Sequence, residues 1–254
     1  MPGVANIRVL ERAVDVMNCL AELGQPSSLS EIVGKISLPK TTVFRILNTL
    51  EEHSLVVRCN GQYAIGPAVL FWASAYKGQN VLLEIAKPYL VELWDLTRET
   101  VHLISFDGEE AYYIEKLDTP HPVRMHSRIG AHLTLYCTAA GKAILASLSK
   151  EELDAYLRKT RLVSKTPNTI VDRENLMAEL SKIRQEGFSK DLQENEEGIC
   201  CVGAAILQNG RPVGAISVSA PAYRFQEEKM LEAGRKVQEI AAKISEALNS
   251  LPGM

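Results

Sequence analysis

The chain has 254 residues, 46% of them hydrophobic and 23% charged, which suits two compact domains and excludes disordered or collagen-like classes. Its formal net charge of −3 lacks the basic excess that usually marks a nucleic-acid-binding protein, so any such role must rest on where the charges sit. No apolar run approaches the roughly 20 residues that cross a bilayer, and Met1 to Leu10 lacks the basic start and apolar core of a signal peptide. A cytoplasmic protein with no membrane partner is expected.

Ile7, Leu10, Val14, Met17 and Ala21 recur at three- or four-residue steps, with Ala13 and Leu20 beside them, and predict an amphipathic helix stopped at Gly24 and Pro26. Ser28-Leu29-Ser30-Glu31 fits a capping box opening a short helix with Ile32, Val33 and Ile36. Ser37-Leu38 makes a break, and Pro39 suits the first position of a third helix, where its missing N–H costs nothing. That helix buries Val43, Leu47 and Leu50, with Ile46 beside them, and shows Thr41, Thr42, Arg45, Asn48 and Thr49 on its other side. Asn60-Gly61 between Val56–Cys59 and Gln62–Ile65 is a strong hairpin signal. Three helices and a hairpin predict a winged helix-turn-helix over residues 1–66.

After Gly66-Pro67, residues 68–78 and 80–98 read as two helices divided around Gly78. Strands are expected at Val101 to Phe106, Ala111 to Leu117, Val123 to Ile129, Ile199 to Leu207 and Pro212 to Ser219. Helices are expected at Thr138 to Leu148, near 150–158 and 172–186, and from about Gln226 to Leu248. Strand pairs with interspersed helices indicate an α+β domain with a mainly antiparallel sheet.

A recognition helix with a small, polar and basic leading half can enter the major groove. Lys40, Thr41, Thr42, Phe44 and Arg45 fit that description. Arg45 is the best candidate for a guanine edge and Lys40 for a phosphate, while Arg58, Asn60 and Gln62 on the hairpin can reach the backbone or minor groove. Residues 1–66 carry six cations (Arg8, Arg12, Lys35, Lys40, Arg45, Arg58) against six anions, so this domain is neutral. The bland alternative is a solvated helix face in a unit that makes only protein contacts.

At these residues the chain resembles the IclR (isocitrate lyase regulator) family of bacterial transcription regulators. In the first domain the resemblance rests on Val9 to Ala13, Leu38 to Leu47 and Tyr63 to Gly66. In the second it rests on Leu135 to Ala143, Asp191 to Cys201 and Ala215 to Ser219. It implies a winged-helix domain (1–66), a linker helix (67–79) and a profilin- or GAF-like effector domain (80–254), assembled as dimers or dimers of dimers. Double-stranded DNA with an inverted-repeat operator and a small organic acid are the implied partners.

Carried over by position, the effector residues implied are Val123, Met125, Thr138, Ala139, Ala140, Asp191, Ile199, Cys201, Ser217 and Ser219. The chemistry suits an organic acid: a helix beginning near Ala139-Ala140-Gly141 presents unpaired N–H groups to a carboxylate. Ser217 and Ser219, two apart on a strand, share a face. Asp191 would repel an anion unless it accepts from ligand hydroxyls, which favours a polyhydroxylated ligand. Arg124 to Gly130 and Gln193 to Glu197 resemble the branch that responds to sugar acids such as 2-keto-3-deoxygluconate. Close helix-on-sheet packing and satisfied strand hydroxyls are the competing structural explanations for Thr138–Gly141 and the two serines.

The five cysteines (Cys19, Cys59, Cys137, Cys200, Cys201) are odd in number and suit reduced thiols. His121, His126 and His132 match no metal spacing, so neither metal nor cofactor is expected. Cys201 with His126 or His132 and Asp191 is conceivable as a cysteine-type catalytic set. No nucleophile elbow, phosphate-binding loop, dinucleotide fingerprint or zinc-protease motif accompanies it, and a regulator rather than an enzyme is expected. A sensor acting through protein contacts and an activator of aromatic-acid catabolism genes are the alternatives.

Overall fold

In a computed structural model that describes residues 6–123 and 127–251, helix α1 (Arg8–Leu23) opens the chain. Its inward face differs from the expected stripe. Val16, Cys19 and Leu20 are buried, whereas Ile7, Leu10 and Val14 are more than half exposed. The helix carries apolar residues on two faces, and spacing alone cannot say which one a fold covers. Ser28 ends a short strand β1 (Ser27–Ser28) and caps α2 (Leu29–Lys35). Its side chain accepts from Glu31 N–H at 3.3 Å, and Glu31 Oε2 accepts from Ser28 N–H at 2.7 Å, the reciprocal box the sequence predicts.

Helix α3 (Lys40–Glu52) starts one residue later than expected, because Pro39 has an extended ψ of 139° and serves as the N-cap. The Pro39 carbonyl accepts from Thr42 and Val43 N–H. The hairpin pairs β2 (Val56–Cys59) with β3 (Gln62–Ile65), and Asn60 and Gly61 both take positive φ (53° and 78°), as a tight two-residue turn requires. Strand β1 adds to β3, giving a three-stranded sheet ordered β1-β3-β2. Val43, Ile46, Leu47, Leu50, Val56 and Tyr63 close one apolar core with α1 and α2.

Helix α4 (Ala68–Gln79) follows, and every one of its residues stays at least partly exposed. It runs through Gly78 and stops at Asn80, so the expected division falls two residues later. The chain separates into two units at this point, one running to Asn80 and the other from Val81.

The second unit is built on a five-stranded antiparallel sheet, ordered β5-β4-β8-β7-β6. Its strands are β4 (Thr100–Phe106), β5 (Ala111–Leu117), β6 (Ser189–Leu192), β7 (Ile199–Gln208) and β8 (Arg211–Pro221). One face, with Val101, Leu103, Val202, Ala204, Ile216 and Val218, packs on α5 (Val81–Thr97) and α9 (Glu227–Asn249). The other carries Ile104, Tyr113 and Ala215 against α6 (Ala139–Ser147), α7 (Lys150–Lys159) and α8 (Arg173–Glu186). Of the strand expected at Val123 to Ile129, the described residues Val123 and Ser127–Ile129 are not in a strand; Arg124, Met125 and His126 lie outside the described residues. Short β6, unforeseen, supplies the sheet edge on which Asp191 sits.

Candidate functional site

The 3.6-residue period of α3 sorts its side chains cleanly. Val43, Ile46, Leu47 and Leu50 point inward, while Lys40, Thr41, Phe44 and Arg45 are exposed and Thr42 is partly so. Thr49 turns its hydroxyl back to the Arg45 carbonyl at 3.2 Å, which leaves the leading half of α3 as the polar face. On the hairpin, Arg58 lies with its guanidinium 5.3 Å from the Tyr63 ring centroid, a cation–π contact that restrains an exposed cation. Asn60 is exposed at the tip of the turn. All seven predicted DNA-contacting residues are therefore on the surface of α3 and the wing.

In the second unit the predicted residues are mostly buried. Thr138, Ala139, Ala140, Asp191, Ile199, Cys201, Ser217 and Ser219 are all less than a tenth exposed. Thr138 caps α6: its Oγ1 accepts from Gly141 N–H at 3.2 Å and donates to the Thr134 carbonyl at 2.7 Å. The next helical bond runs from Lys142 N–H to the Thr138 carbonyl. The N–H groups of Ala139 and Ala140 thus sit in the first turn, where a helix supplies no acceptor.

That helix start lies directly on the sheet. A Cβ on Gly203 would come within 2.7 Å of Ala140 N and 2.9 Å of Ala139 C, so only glycine allows this approach. Ser189 Oγ donates toward the Ala139 carbonyl at 2.5 Å, holding β6 to the same turn. Ala139, Ile199 and Cys201 form a small apolar cluster of their own.

Strand register sets the polar groups. Asp191 is opposite Cys201, Cys201 is opposite Ser219, and Ser219 is opposite Thr100, so these four cross the sheet on one face. Beside that row, Ser189, Gly203, Ser217 and His102 make a second one. Both belong to the face that meets α6.

Asp191 is 3% exposed, and its Oδ1 accepts from Glu194 N–H at 2.6 Å. Burial pushes its pKa up to about 7, with the Glu194 charge adding to the rise. The repulsion expected between Asp191 and an anion is therefore softened near neutral pH, where much of the carboxyl carries a proton.

Val123 is 52% exposed, with its carbonyl accepting from Arg224 Nη2 at 3.3 Å, and is not brought into the buried group. Met125 lies outside the described residues.

Sequence reasoning missed His102, Tyr113, Lys142 and Glu194. The His102 and Tyr113 ring centroids are 5.1 Å apart on the same face as the serines. Lys142 is fully buried and its Nζ meets Glu194 Oε1 at 2.5 Å and Glu179 Oε1 at 3.3 Å. Lys142 falls within the Leu135 to Ala143 motif, and a lysine among small apolar residues of a buried helix was the available signal.

The cysteine-type catalytic arrangement finds no support. Burial, and secondarily the Asp191 charge, raises the Cys201 thiol pKa well above its ordinary value, opposite to what a nucleophilic thiolate needs. His132 is instead stacked edge-on against Tyr112. Among the described residues no cluster of three or more His, Cys, Asp or Glu side chains suits a metal ion, and no helix is long and apolar enough to cross a membrane.

Comparison with known proteins gives two family matches: the IclR helix-turn-helix domain over residues 9–58, and the bacterial transcriptional regulator IclR C-terminal domain over residues 74–246. The HTH-type transcriptional repressor AllR of Salmonella typhi is 35% identical over 248 residues, covering 96% of this chain and 91% of that protein. The crystal structure of the Thermotoga maritima IclR superposes with a TM-score of 0.79 at 36% identity, covering 96% of this chain and all of that one. An IclR homolog from Microbacterium hydrocarbonoxydans, solved with 4-hydroxybenzoate, shares the fold at a TM-score of 0.78 and 21% identity, over 96% of this chain and all of that one.

Proposed function

Because the chain belongs to the IclR family of bacterial transcriptional regulators, which are not enzymes, we propose that it represses a carbohydrate or sugar-acid catabolic operon under control of a small organic acid. The observation that carries the effector site is the start of α6. The Ala139–Ala140 peptide lies over Gly203, so the first turn of α6, whose amide groups have no helical acceptor, meets rows of buried polar side chains from three strands. Ala139 and Ala140 N–H groups take the carboxylate, and Ser217, Ser219 and Asp191 take the ligand's hydroxyls, while Ile199 and Cys201 form apolar wall. Val123 and Met125 are kept as further apolar ligand contacts on the family resemblance alone. Asp191, carrying a proton near neutral pH, donates as well as accepts.

DNA is met by Lys40, Thr41, Thr42, Phe44 and Arg45 on α3 and by Arg58 and Asn60 on the wing. Few cations serve a neutral domain, so the contacts must be doubled by a second copy. Residues 67–79, as a linker helix, provide the means: Leu70 (68% exposed), Phe71 (76%) and Trp72 (58%) lie uncovered on α4, as do Leu10 and Val14 on α1 and Ile7 at its N-cap. Such a run of exposed large apolar side chains is the mark of an interface. A twofold dimer, or a dimer of dimers, reads an inverted repeat in the cytoplasm.

Thermal-shift screening with sugar acids, keto acids and aromatic acids, 4-hydroxybenzoate among them, tests the effector site. The proposal expects a sugar-acid hit that is lost in both Asp191→Ala and Ser217→Ala and that changes operator affinity. A hit unaffected by either substitution sinks the residue assignment. A hit confined to aromatic acids replaces the sugar-acid class.

A further inference from the structure

We propose that His102 is a further effector contact, which reads an uncharged hydroxyl or carbonyl oxygen on the ligand at the end away from its carboxylate. The inference rests on the effector site proposed above.

His102 is 1% exposed, and its Nδ1 is buried with no hydrogen-bond partner among the described residues. A buried polar atom left unsatisfied is costly and calls for an explanation, and a ligand group that arrives later supplies one here. Its position says which group. His102 is directly opposite Ser217, Ser217 is directly opposite Gly203, and Gly203 carries the start of α6. From the carboxylate-binding turn to His102 is two strand spacings along one row, about 9–10 Å between backbones. A small acid anchored at α6 and lying along that row presents its far end to His102 and Ser217.

The chemistry at that end is neutral. Besides Ser217, the described groups about the ring are Ser127, Tyr113, Lys116 in register on β5, and Asp118 paired to Lys116 at 2.8 Å. Burial, and then the Lys116 charge, lowers the His102 pKa to about 3, so no imidazolium awaits a second carboxylate. The other nitrogen, Nε2, lies 2.7 Å from Ser127 Oγ, and a hydroxyl can either donate or accept there. When Nε2–H donates to Ser127, Nδ1 accepts from a ligand hydroxyl. When Ser127 donates to Nε2, Nδ1–H donates to a ligand carbonyl. The ring thus suits a hydroxy or oxo monocarboxylate and disfavours a dicarboxylate.

Calorimetric titration of the full chain with two matched pairs tests this: glycerate against tartronate, and gluconate against glucarate. Within each pair the carbon count is fixed and the far carbinol becomes a carboxylate. At least one monocarboxylate should bind, about tenfold or more tighter than its dicarboxylate. His102→Phe should weaken that binding about tenfold and remove the discrimination. In the unaltered protein, the imidazole Nδ1 nitrogen resonance should shift when the monocarboxylate is added, a readout that does not depend on a variant folding. Failure of both monocarboxylates to bind, equal binding of a dicarboxylate, or a static Nδ1 resonance overturns the proposal. Should Asp191→Ala abolish binding while His102→Phe leaves it intact, only the His102 assignment falls. Should neither matter, the site itself is wrong.

Discussion

The backbone N–H of Glu194 donates to Asp191 Oδ1 at 2.6 Å, so the loop that follows β6 is fastened to the carboxyl at the centre of the proposed effector site. Through its side chain the same Glu194 reaches Lys142 on α6, and its carbonyl accepts from Thr169 Oγ1 at 2.6 Å. One residue thereby joins the sheet edge, helix α6 and the segment before α8. A ligand that engages Asp191 acts on all three.

Lys142 and Glu194 are both buried, and removing one partner leaves the other charge uncompensated. Lys142→Met should destabilise the second unit by about 3–5 kcal/mol in urea unfolding. Lys142→Met with Glu194→Gln should recover much of that loss, because the buried charge is then gone and Glu179, with 26% of its side chain exposed, stays hydrated. A single-variant loss below about 1 kcal/mol would contradict the pairing.

Asp191 sets a pH dependence whose sign is fixed by burial. With its folded pKa raised from 3.8 to about 7, the folded chain keeps a proton that the unfolded chain releases. The stabilisation is full below about pH 4 and is lost as the pH rises through 7, on the order of 4 kcal/mol in all. Asp191→Asn should therefore gain stability relative to the parent between pH 5 and pH 8. Affinity for an anionic effector should rise as the pH falls from 8 to 6. A gap between the two proteins that does not change with pH counts against the raised pKa.

Gly203→Ala should displace the start of α6, since the added Cβ meets backbone rather than a yielding side chain. A cost of about 1–3 kcal/mol is expected, with effector response lost and operator binding retained. Normal effector affinity in this variant would show that the helix start does not hold the carboxylate.

Trp72→Glu should separate subunits without unfolding them, because α4 contributes no buried side chain to its own unit. Sedimentation at micromolar concentration should report a monomer for the variant and a dimer or tetramer for the parent. An unchanged mass moves the interface elsewhere.

The two parts of the chain differed in how openly the sequence displayed them. The Ser28–Glu31 box and the Asn60-Gly61 turn were legible because each depends on chemistry within four residues. The buried face of α1 was not, since Ile7, Leu10 and Val14 compete with Val16, Cys19 and Leu20 for one core. Strand β6 escaped because Ser189-Lys190-Asp191-Leu192 has no β-branched or aromatic residue to mark it. Ser217 and Ser219 were placed on one face by their spacing of two. His102 could not be set beside them, because the pairing of β4 with β8 spans more than a hundred residues of sequence.

Operator binding by the full chain, followed against salt concentration on DNA flanking its own gene, tests ligand-controlled DNA binding most directly. Log affinity should fall linearly with log salt, as counterions are released from the phosphates. Arg45→Ala should cost about 1–3 kcal/mol and relax preference at one base pair of each half-site, and a bound sugar acid should shift the whole curve. Affinity that ignores salt, Arg45 and every organic acid would contradict the account.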